Sequence, residues 1–279
     1  MRPEMRRLRM STLAMHAVLA LCALVVLFPV VWIAIAAFKT QIALLTGKVL
    51  FQPTLANFDE LLFSRSSDYL ANFLNSLGVA TASTIAVAVC STLAAYSLHR
   101  LRWPRWVPAV VLLWSVVFHM LPPITMVGPW YVMFRAVGLD NTYTCLVLTN
   151  LALNLPVGIW LMSVFVRDIP IELEEAARVD GCTTPQMLVR IVFPLVMPGL
   201  AAMSILAFVF SWNEFAVALN LTAKQTATVP VAIAKFAQEY EIKHGVMAAG
   251  AALSAIPAIV VLLLAQRHIV KGLTAGAVK

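Results

Sequence analysis

A helix needs about 20 consecutive, mostly apolar residues to cross the hydrocarbon core of a bilayer. Six stretches of this chain meet that demand: residues 12–38, 71–98, 106–126, 142–166, 198–221 and 246–265. Backbone polar groups in lipid must be satisfied within the spanning segment, so six such stretches predict an all-α, polytopic membrane protein with six transmembrane helices, a single transmembrane domain over 1–279. Composition agrees. The chain is 61% hydrophobic and 12% charged, with a mean hydropathy of +0.88, which leaves too little polar surface for a soluble domain. Arg2, Arg6, Arg7 and Arg9 before the first apolar run imitate a signal peptide. The run is long, however, and Pro29 and Trp32 stand where small residues would mark a cleavage site, so a retained first span is expected.

A net charge of +7 raises the question of nucleic acid, but the distribution of charge answers it differently. Of the 20 Lys and Arg, 13 fall at the two termini and in the loops after the second and fourth stretches, against seven in the remaining loops. The positive-inside rule then places both termini, and the loop at 168–197, in the cytoplasm, with lipid rather than nucleic acid as the partner. Cys22, Cys90, Cys145 and Cys182 are scattered, with neither a disulfide framework nor a metal-ligand spacing.

Polar residues inside or beside the stretches mark candidate functional positions. The segment from 39 to 69 is the longest outer loop and offers a docking surface for an external partner. The second stretch is rich in small and hydroxyl residues, from Ser76 through Ser91 to Ala95, which allow close helix packing. Arg100, Trp103 and Arg105 after it read as an interface anchor. The third stretch ends among Pro122, Pro123 and Pro129, so a broken helix with a re-entrant or interfacial outer end is expected. His119 beside that break reads more simply as a buried, hydrogen-bonded side chain than as a ligand. Asn150 and Asn154 share one helical face; interhelical hydrogen bonding and a polar lining of a substrate path both fit them. Asn213 and Glu214 lie in the fifth stretch. Glu214 is a functional candidate as the acid within a span, though it stands about 10 Å from the outer end at a helical rise.

The most informative polar segment is 168–199, DIPIELEEAARVDGCTTPQMLVRIVFPLVMPG. Glu172, Glu174 and Glu175 suit the positive end of a short helix over 170–180, and Gly181 suits its left-handed cap. Thr183 or Thr184 can cap a second helix, with Pro185 in its first turn; that helix carries Met187, Leu188, Ile191 and Val192 and is expected to break at Pro194. Glu175-Ala176-Ala177, three residues, Gly181, nine residues, Ile191, one residue, Phe193 and Pro194 resembles the EAA loop of the membrane subunits of binding-protein-dependent ABC importers. Every specified position matches except Phe193, where leucine is usual; Cys182, where a small residue is common, and Leu188, where phenylalanine is common, are further departures.

The resemblance extends further. NSLGVATAST with LAAYSLHR, GLDNT over 138–142, WNEF at 212–215 and the closing GLTAGAVK are similar to carbohydrate-importer permeases of the maltose, trehalose and glycerol-phosphate class. It implies a second, homologous permease subunit, two cytoplasmic ATPase subunits and an extracytoplasmic solute-binding protein. ATP and Mg would belong to the ATPase chains, with no cofactor in this one. On the same resemblance, Glu172, Glu175, Ala176, Ala177, Asp180, Gly181, Ile191, Phe193 and Pro194 form the ATPase-coupling element, a cytoplasmic helix-turn-helix seated in an ATPase cleft with its apolar second half inward. Gly272, Leu273, Thr274, Gly276 and Lys279 imply a second ATPase contact.

Other classes fit less well. The chain has no GxxxxGK[ST] phosphate loop, HExxH or GxSxG, so an enzyme has no motif to stand on. An ion-coupled secondary carrier working as a homodimer is the rival, with Glu214 carrying the proton. It gives no reason for an acidic helix pair in a loop.

Overall fold

The computed structural model describes residues 3–65, 67–237 and 242–275, and every element among them is helical. In chain order these are α1 (Pro3–Ala36), α2 (Gln41–Leu45), α3 (Ala56–Phe63), α4 (Tyr69–Arg100), α5 (Trp106–His119), α6 (Pro123–Ala136), α7 (Tyr143–Arg167), α8 (Ile171–Val179) and α9 (Thr184–Met187). A π-helical turn, Leu188–Val192, leads into α10 (Phe193–Trp212), followed by α11 (Ala216–Leu221), α12 (Val229–Lys235) and α13 (His244–Ala275). Among the described residues five helices are long and apolar enough to cross a membrane, and α5 with α6 makes a sixth if the pair counts as one span.

Contacts divide the chain into two compact units. The first takes the chain up to Tyr69 together with Ile233–Ser254. Its centre is Lys39, 3% exposed, whose ammonium lies 4.9 Å and 4.8 Å from the ring centres of Trp32 and Phe51 and donates to the Lys48 carbonyl at 2.9 Å. Ring faces and one carbonyl replace the water the cation has lost. Asn57 donates to the Ala37 and Lys39 carbonyls, both at 2.8 Å, Tyr69 Oη reaches the Gly250 carbonyl at 3.0 Å, and Lys243 pairs with Glu60 at 2.7 Å.

The second unit takes Leu70–Ala232 and the chain from Ala255 onward. Its main core joins Val87, Ala95 and Tyr96 of α4, Met162 and Val166 of α7, Ala177 of α8, Met187 of α9 and Val192, Val196 and Met203 towards α10. Small residues set the spacing, as the second stretch implied: a Cβ on Gly158 would stand 2.9 Å from Cβ of Ser91, and one on Gly199 would run into the Phe165 ring. The N-terminal end of α4 is fastened to the segment between α11 and α12. Asn75 Nδ2 donates to the Gln225 and Ala227 carbonyls (2.9 and 3.0 Å), and its Oδ1 accepts from Tyr143 Oη at 2.9 Å. Ser76 Oγ accepts from the Val229 amide at 2.8 Å. Asn141, held at φ +53°, accepts from the Ala223 amide and the Thr226 hydroxyl at 2.7 and 2.5 Å.

Proline behaves in two ways here. The chain turns by 100° between α5 and α6, where Pro122 is the extended N-cap and Pro123 the first helical residue, as the proline cluster predicts. Pro129 does not interrupt α6. The expected break at Pro194 is also corrected: the chain stays helical from Thr184 to Trp212, one candidate span of 29 residues. The wide turn at Leu188–Val192 re-registers the ladder just before the residue that lacks an N–H, so the helix passes through proline instead of ending. The helix at the fifth stretch therefore covers 184–212, so the second helix of the 168–197 loop runs on without a break into the apolar stretch, and the helix stops at Trp212, short of the expected end at 221.

Candidate functional sites: the 168–197 loop and a polar cavity

The first helix of the loop, α8, ends in a Schellman cap. Gly181 at φ +83° donates to the Arg178 carbonyl, and Cys182 reaches back to Ala177 at 2.9 Å. Gln186 then accepts from the Thr183 amide at 2.9 Å, half of the capping box that opens α9, with Pro185 in the first turn.

The faces of the pair differ from the sequence-based expectation. Glu172, Glu175, Ala176, Asp180 and Gly181 are exposed, Ala177 is buried, Ile191 and Phe193 are half-buried, and Pro194 is exposed. Met187 and Val192 are fully buried, but in this chain's own core. The second helix thus turns its apolar side inward to α4 and α7, and that side cannot be the one offered to an ATPase. What the pair presents outward is Glu175 and Ala176 with Ile171, Leu173, Val179 (87% exposed) and Val189.

Glu174 escaped the sequence reading except as a helix-dipole residue. It is 0% exposed. Its Oε1 accepts from Arg100 Nε at 2.5 Å and its Oε2 from Tyr96 Oη at 3.0 Å. Arg100 Nη2 also donates to the Val166 and Ile169 carbonyls, at 3.1 and 2.6 Å, just where α7 ends. One guanidinium thereby joins the ends of α4 and α7 to α8, in contrast to the interface-anchor role expected for Arg100. The signal that finds Glu174 is spacing: it lies three residues before buried Ala177 and so shares its helical face.

The four candidates for a substrate path meet in one place. A cavity of about 500 Å³ is lined by Asn150 and Asn154 of α7, Asn213, Glu214 and Phe215 of the break after α10, and Phe118 and His119 at the end of α5. Asn154 donates to Ser211 Oγ at 3.2 Å and to the Asn150 carbonyl at 2.8 Å, so part of its polarity serves packing. Asn150 donates to the Leu146 carbonyl at 2.9 Å, while its buried Oδ1 has no partner among the described residues. Asn213 Nδ2 closes on the Val209 carbonyl at 2.8 Å. Glu214 is committed: its two oxygens accept from the Val217 and Ala218 amides at 2.7 and 2.9 Å and cap α11. The span ends at Trp212 and Glu214 stands in the break, so it is not an acid on the flank of a continuous helix. His119 is corrected as well: it is an exposed residue on the cavity wall, its ring 6.5 Å from that of Phe210. At the other end of the chain, Gly272, Leu273 and Thr274 fall on the last turns of α13, and Gly276 and Lys279 lie outside the described residues.

Residues 88–275 match the family described as "Binding-protein-dependent transport system inner membrane component". Among curated relatives, a trehalose transport system permease protein, SugB of Mycobacterium tuberculosis, is 38% identical over 91% of this chain and 92% of its own length. A sulfoquinovosyl glycerol transport system permease protein, SmoH of Agrobacterium fabrum, is 35% identical over 91% and 89%. A trehalose/maltose transport system permease protein, MalG of Thermococcus litoralis, is 34% identical over 93% and 94%. In fold, the chain is similar to a subunit of a bacterial ABC transporter that imports alginate, with a TM-score of 0.75, 21% identity and 93% and 96% of the two chains covered. It is also similar, at a TM-score of 0.56 and 17% identity, to a chain of the inward-facing MetNI methionine ABC transporter, covering 72% and 94%. The chain belongs to the inner-membrane components of binding-protein-dependent transport systems. It is the permease type of ABC-importer subunit, a transport subunit and not an enzyme, with ATP hydrolysis on separate chains.

Proposed function

We propose that this chain, as a single transmembrane domain, passes a sugar or a related polyol or sugar-phosphate from an external binding protein to the cytoplasm, paired with a homologous permease and driven by two ATPase subunits that carry the ATP and Mg. The observation that carries the solute class is the cavity, where the amides of Asn150, Asn154 and Asn213 stand among the rings of Phe118, Phe210 and Phe215. Amides bond hydroxyls in either direction and rings cover the apolar faces of a pyranose. The names of the relatives, for trehalose, maltose and sulfoquinovosyl glycerol, support the same class. Both termini and the 168–197 loop lie on the cytoplasmic side in this reading, following the 13-to-seven charge bias.

The exposed face of α8, with Glu175 and Ala176, docks on the ATPase, Glu175 meeting a basic partner, and the end of the C-terminal helix, Gly272 to Thr274 with Gly276 and Lys279, adds a second contact. ATP-driven closure of the ATPase moves the helix pair and biases the spans between inward-open and outward-open packings. A proton-coupled homodimeric carrier gives no role to the acidic helix pair of the loop, whereas Glu214 already has a local one, its two oxygens accepting from the amides that open α11.

The test is co-purification from the native membrane in mild detergent, followed by ATPase and uptake assays in proteoliposomes. A second permease, an ATPase and hydrolysis stimulated by a binding protein with sugar are expected; a lone homodimer transporting on an ion gradient would overturn the reading. In the same assay Gly181→Val and Glu175→Lys should leave insertion intact and lower uptake per ATP hydrolysed at least fivefold. Normal coupling in both variants would remove the docking role of α8.

A further inference from the structure

We propose that Arg100, Glu174 and Tyr96 form the junction through which movement of α8 reaches the spans, Arg100 and Glu174 being positioning residues that make α8 one body with the ends of α4 and α7. This rests on the docking role of α8 given above and adds where the force goes next.

The geometry singles out this contact. Docking residues act only if α8 is tied to something that crosses the membrane, and α8 itself is a nine-residue helix. Chain connectivity ties it weakly: on one side lie only Asp168, Ile169 and Pro170, and on the other the Gly181 turn. Apolar contact adds Ala177, one small side chain. The directional tie is the charged pair. The Arg100 and Glu174 side chains are 9% and 1% exposed, 2.5 Å apart. Every part of the cluster has a second commitment: Glu174 Oε2 to Tyr96 on α4, and Arg100 Nη2 to the two carbonyls at the end of α7. Sliding contacts between apolar side chains resist displacement softly. A buried ion pair whose remaining hydrogen bonds are also made resists it in direction as well as distance, because any shift strands a desolvated charge.

The location fits a transmission point. Arg100 is the last residue of α4, a 32-residue candidate span, and Val166 lies in the last turn of α7, a second span. A displacement of α8 by an attached partner therefore pulls on two spans at once, both of which contribute to the main core. Glu175, the adjacent residue in sequence, points to solvent. Two neighbouring carboxylates thus divide the work, one outward to a partner and one inward to the frame.

The experiment uses the complete transporter with its own partner subunits in proteoliposomes, comparing wild type with Glu174→Gln, the double variant Arg100→Met/Glu174→Met, and Tyr96→Phe. Two quantities are read: solute uptake per ATP hydrolysed, and hydrogen exchange of residues 171–179 in the intact complex. The double variant refills the site with apolar volume, so loss of fold is separated from loss of the junction. Glu174→Gln and the double variant are expected to lower uptake per ATP at least tenfold and to speed exchange in 171–179 at least tenfold, with α4 and α10 protected as in wild type; Tyr96→Phe should lower the ratio about threefold. Wild-type coupling in the double variant would overturn the proposal, as would loss of assembly with general deprotection, which is the mark of a merely structural pair. If wild type itself shows no ATP-coupled uptake, it is the importer reading that fails, and this inference falls with it.

Discussion

The two ends of α4 are fastened by opposite chemistries. At its C-terminal end one ion pair, excluded from water, joins α4, α7 and α8. At its N-terminal end, about 36 Å away at a helical rise, Asn75 and Ser76 hold the 222–229 segment through neutral hydrogen bonds to its backbone. The charged end is unforgiving, because removal of one partner leaves a buried charge whose desolvation nothing offsets. The neutral end is graded, since each lost bond is worth about 1 kcal/mol and water can replace the amide of the half-exposed Asn75, although not the buried Ser76. A segment that must move as one piece with its span suits the first; a segment that must adjust its position suits the second.

The largest expected effect breaks the charged end. Glu174→Ala leaves the Arg100 guanidinium buried without its carboxylate and should destabilise the chain by about 3–5 kcal/mol, read as a lower midpoint of thermal unfolding in detergent. Arg100→Met/Glu174→Met should recover most of that loss, since a well-packed apolar pair of similar volume is often as stable as the ions it replaces. If the double variant is as unstable as the single one, the ion pair is a net source of stability and the contrast between the ends is mis-stated.

A smaller effect is expected at Asn141. Its side chain accepts two hydrogen bonds from the 222–229 segment, and its backbone stands at φ +53°, which asparagine tolerates better than most residues. Asn141→Ala loses both bonds and keeps the strain, so a cost of about 1–3 kcal/mol is expected. Asn141→Gly, which relieves the strain but not the lost bonds, should fall between alanine and wild type in the same unfolding measurement. Equal midpoints for the two variants would show that the backbone conformation costs nothing and that the bonds alone matter.

How much of this was legible beforehand depends on the range of the interaction. The all-helical membrane fold, the proline break between α5 and α6, the Gly181 cap and the short helix pair follow from local rules, and the structure has each of them. The continuity of the helix through Pro194 was not legible, because a π turn that spares the missing N–H leaves no composition signal. Nor was the direction of the apolar side of 184–192, since periodicity shows that a helix has an apolar face and not what covers it. Asn150, Asn154, Asn213 and Glu214 are legible as polar residues within apolar stretches of sequence, where polarity calls for a partner, and all four line one cavity; their convergence there is a matter of tertiary packing that no local rule gives. Glu174 was passed over because an acid beside two others in a first turn satisfies the helix-dipole rule without any partner; its partner Arg100 is 74 residues away in sequence.

The smallest effect sharpens the neutral end. Tyr143 Oη donates to Asn75 Oδ1 at 2.9 Å, with the Gln225 carbonyl a longer second acceptor at 3.4 Å, in an exposed setting, so Tyr143→Phe removes one hydroxyl donor that water can replace. Asn75 keeps both of its bonds to the 222–229 backbone. The expected cost is at most about 0.5 kcal/mol, at the lower edge for a neutral hydrogen bond. Asn75→Ala, which removes those two bonds as well, should cost about 1–2 kcal/mol. Hydrogen exchange at residues 222–229 separates the cases: nearly unchanged in Tyr143→Phe and several-fold faster in Asn75→Ala. Exchange that rises as much in Tyr143→Phe as in Asn75→Ala would mean that the hydroxyl sets the amide's orientation, and that this end of α4 too is a single cooperative latch.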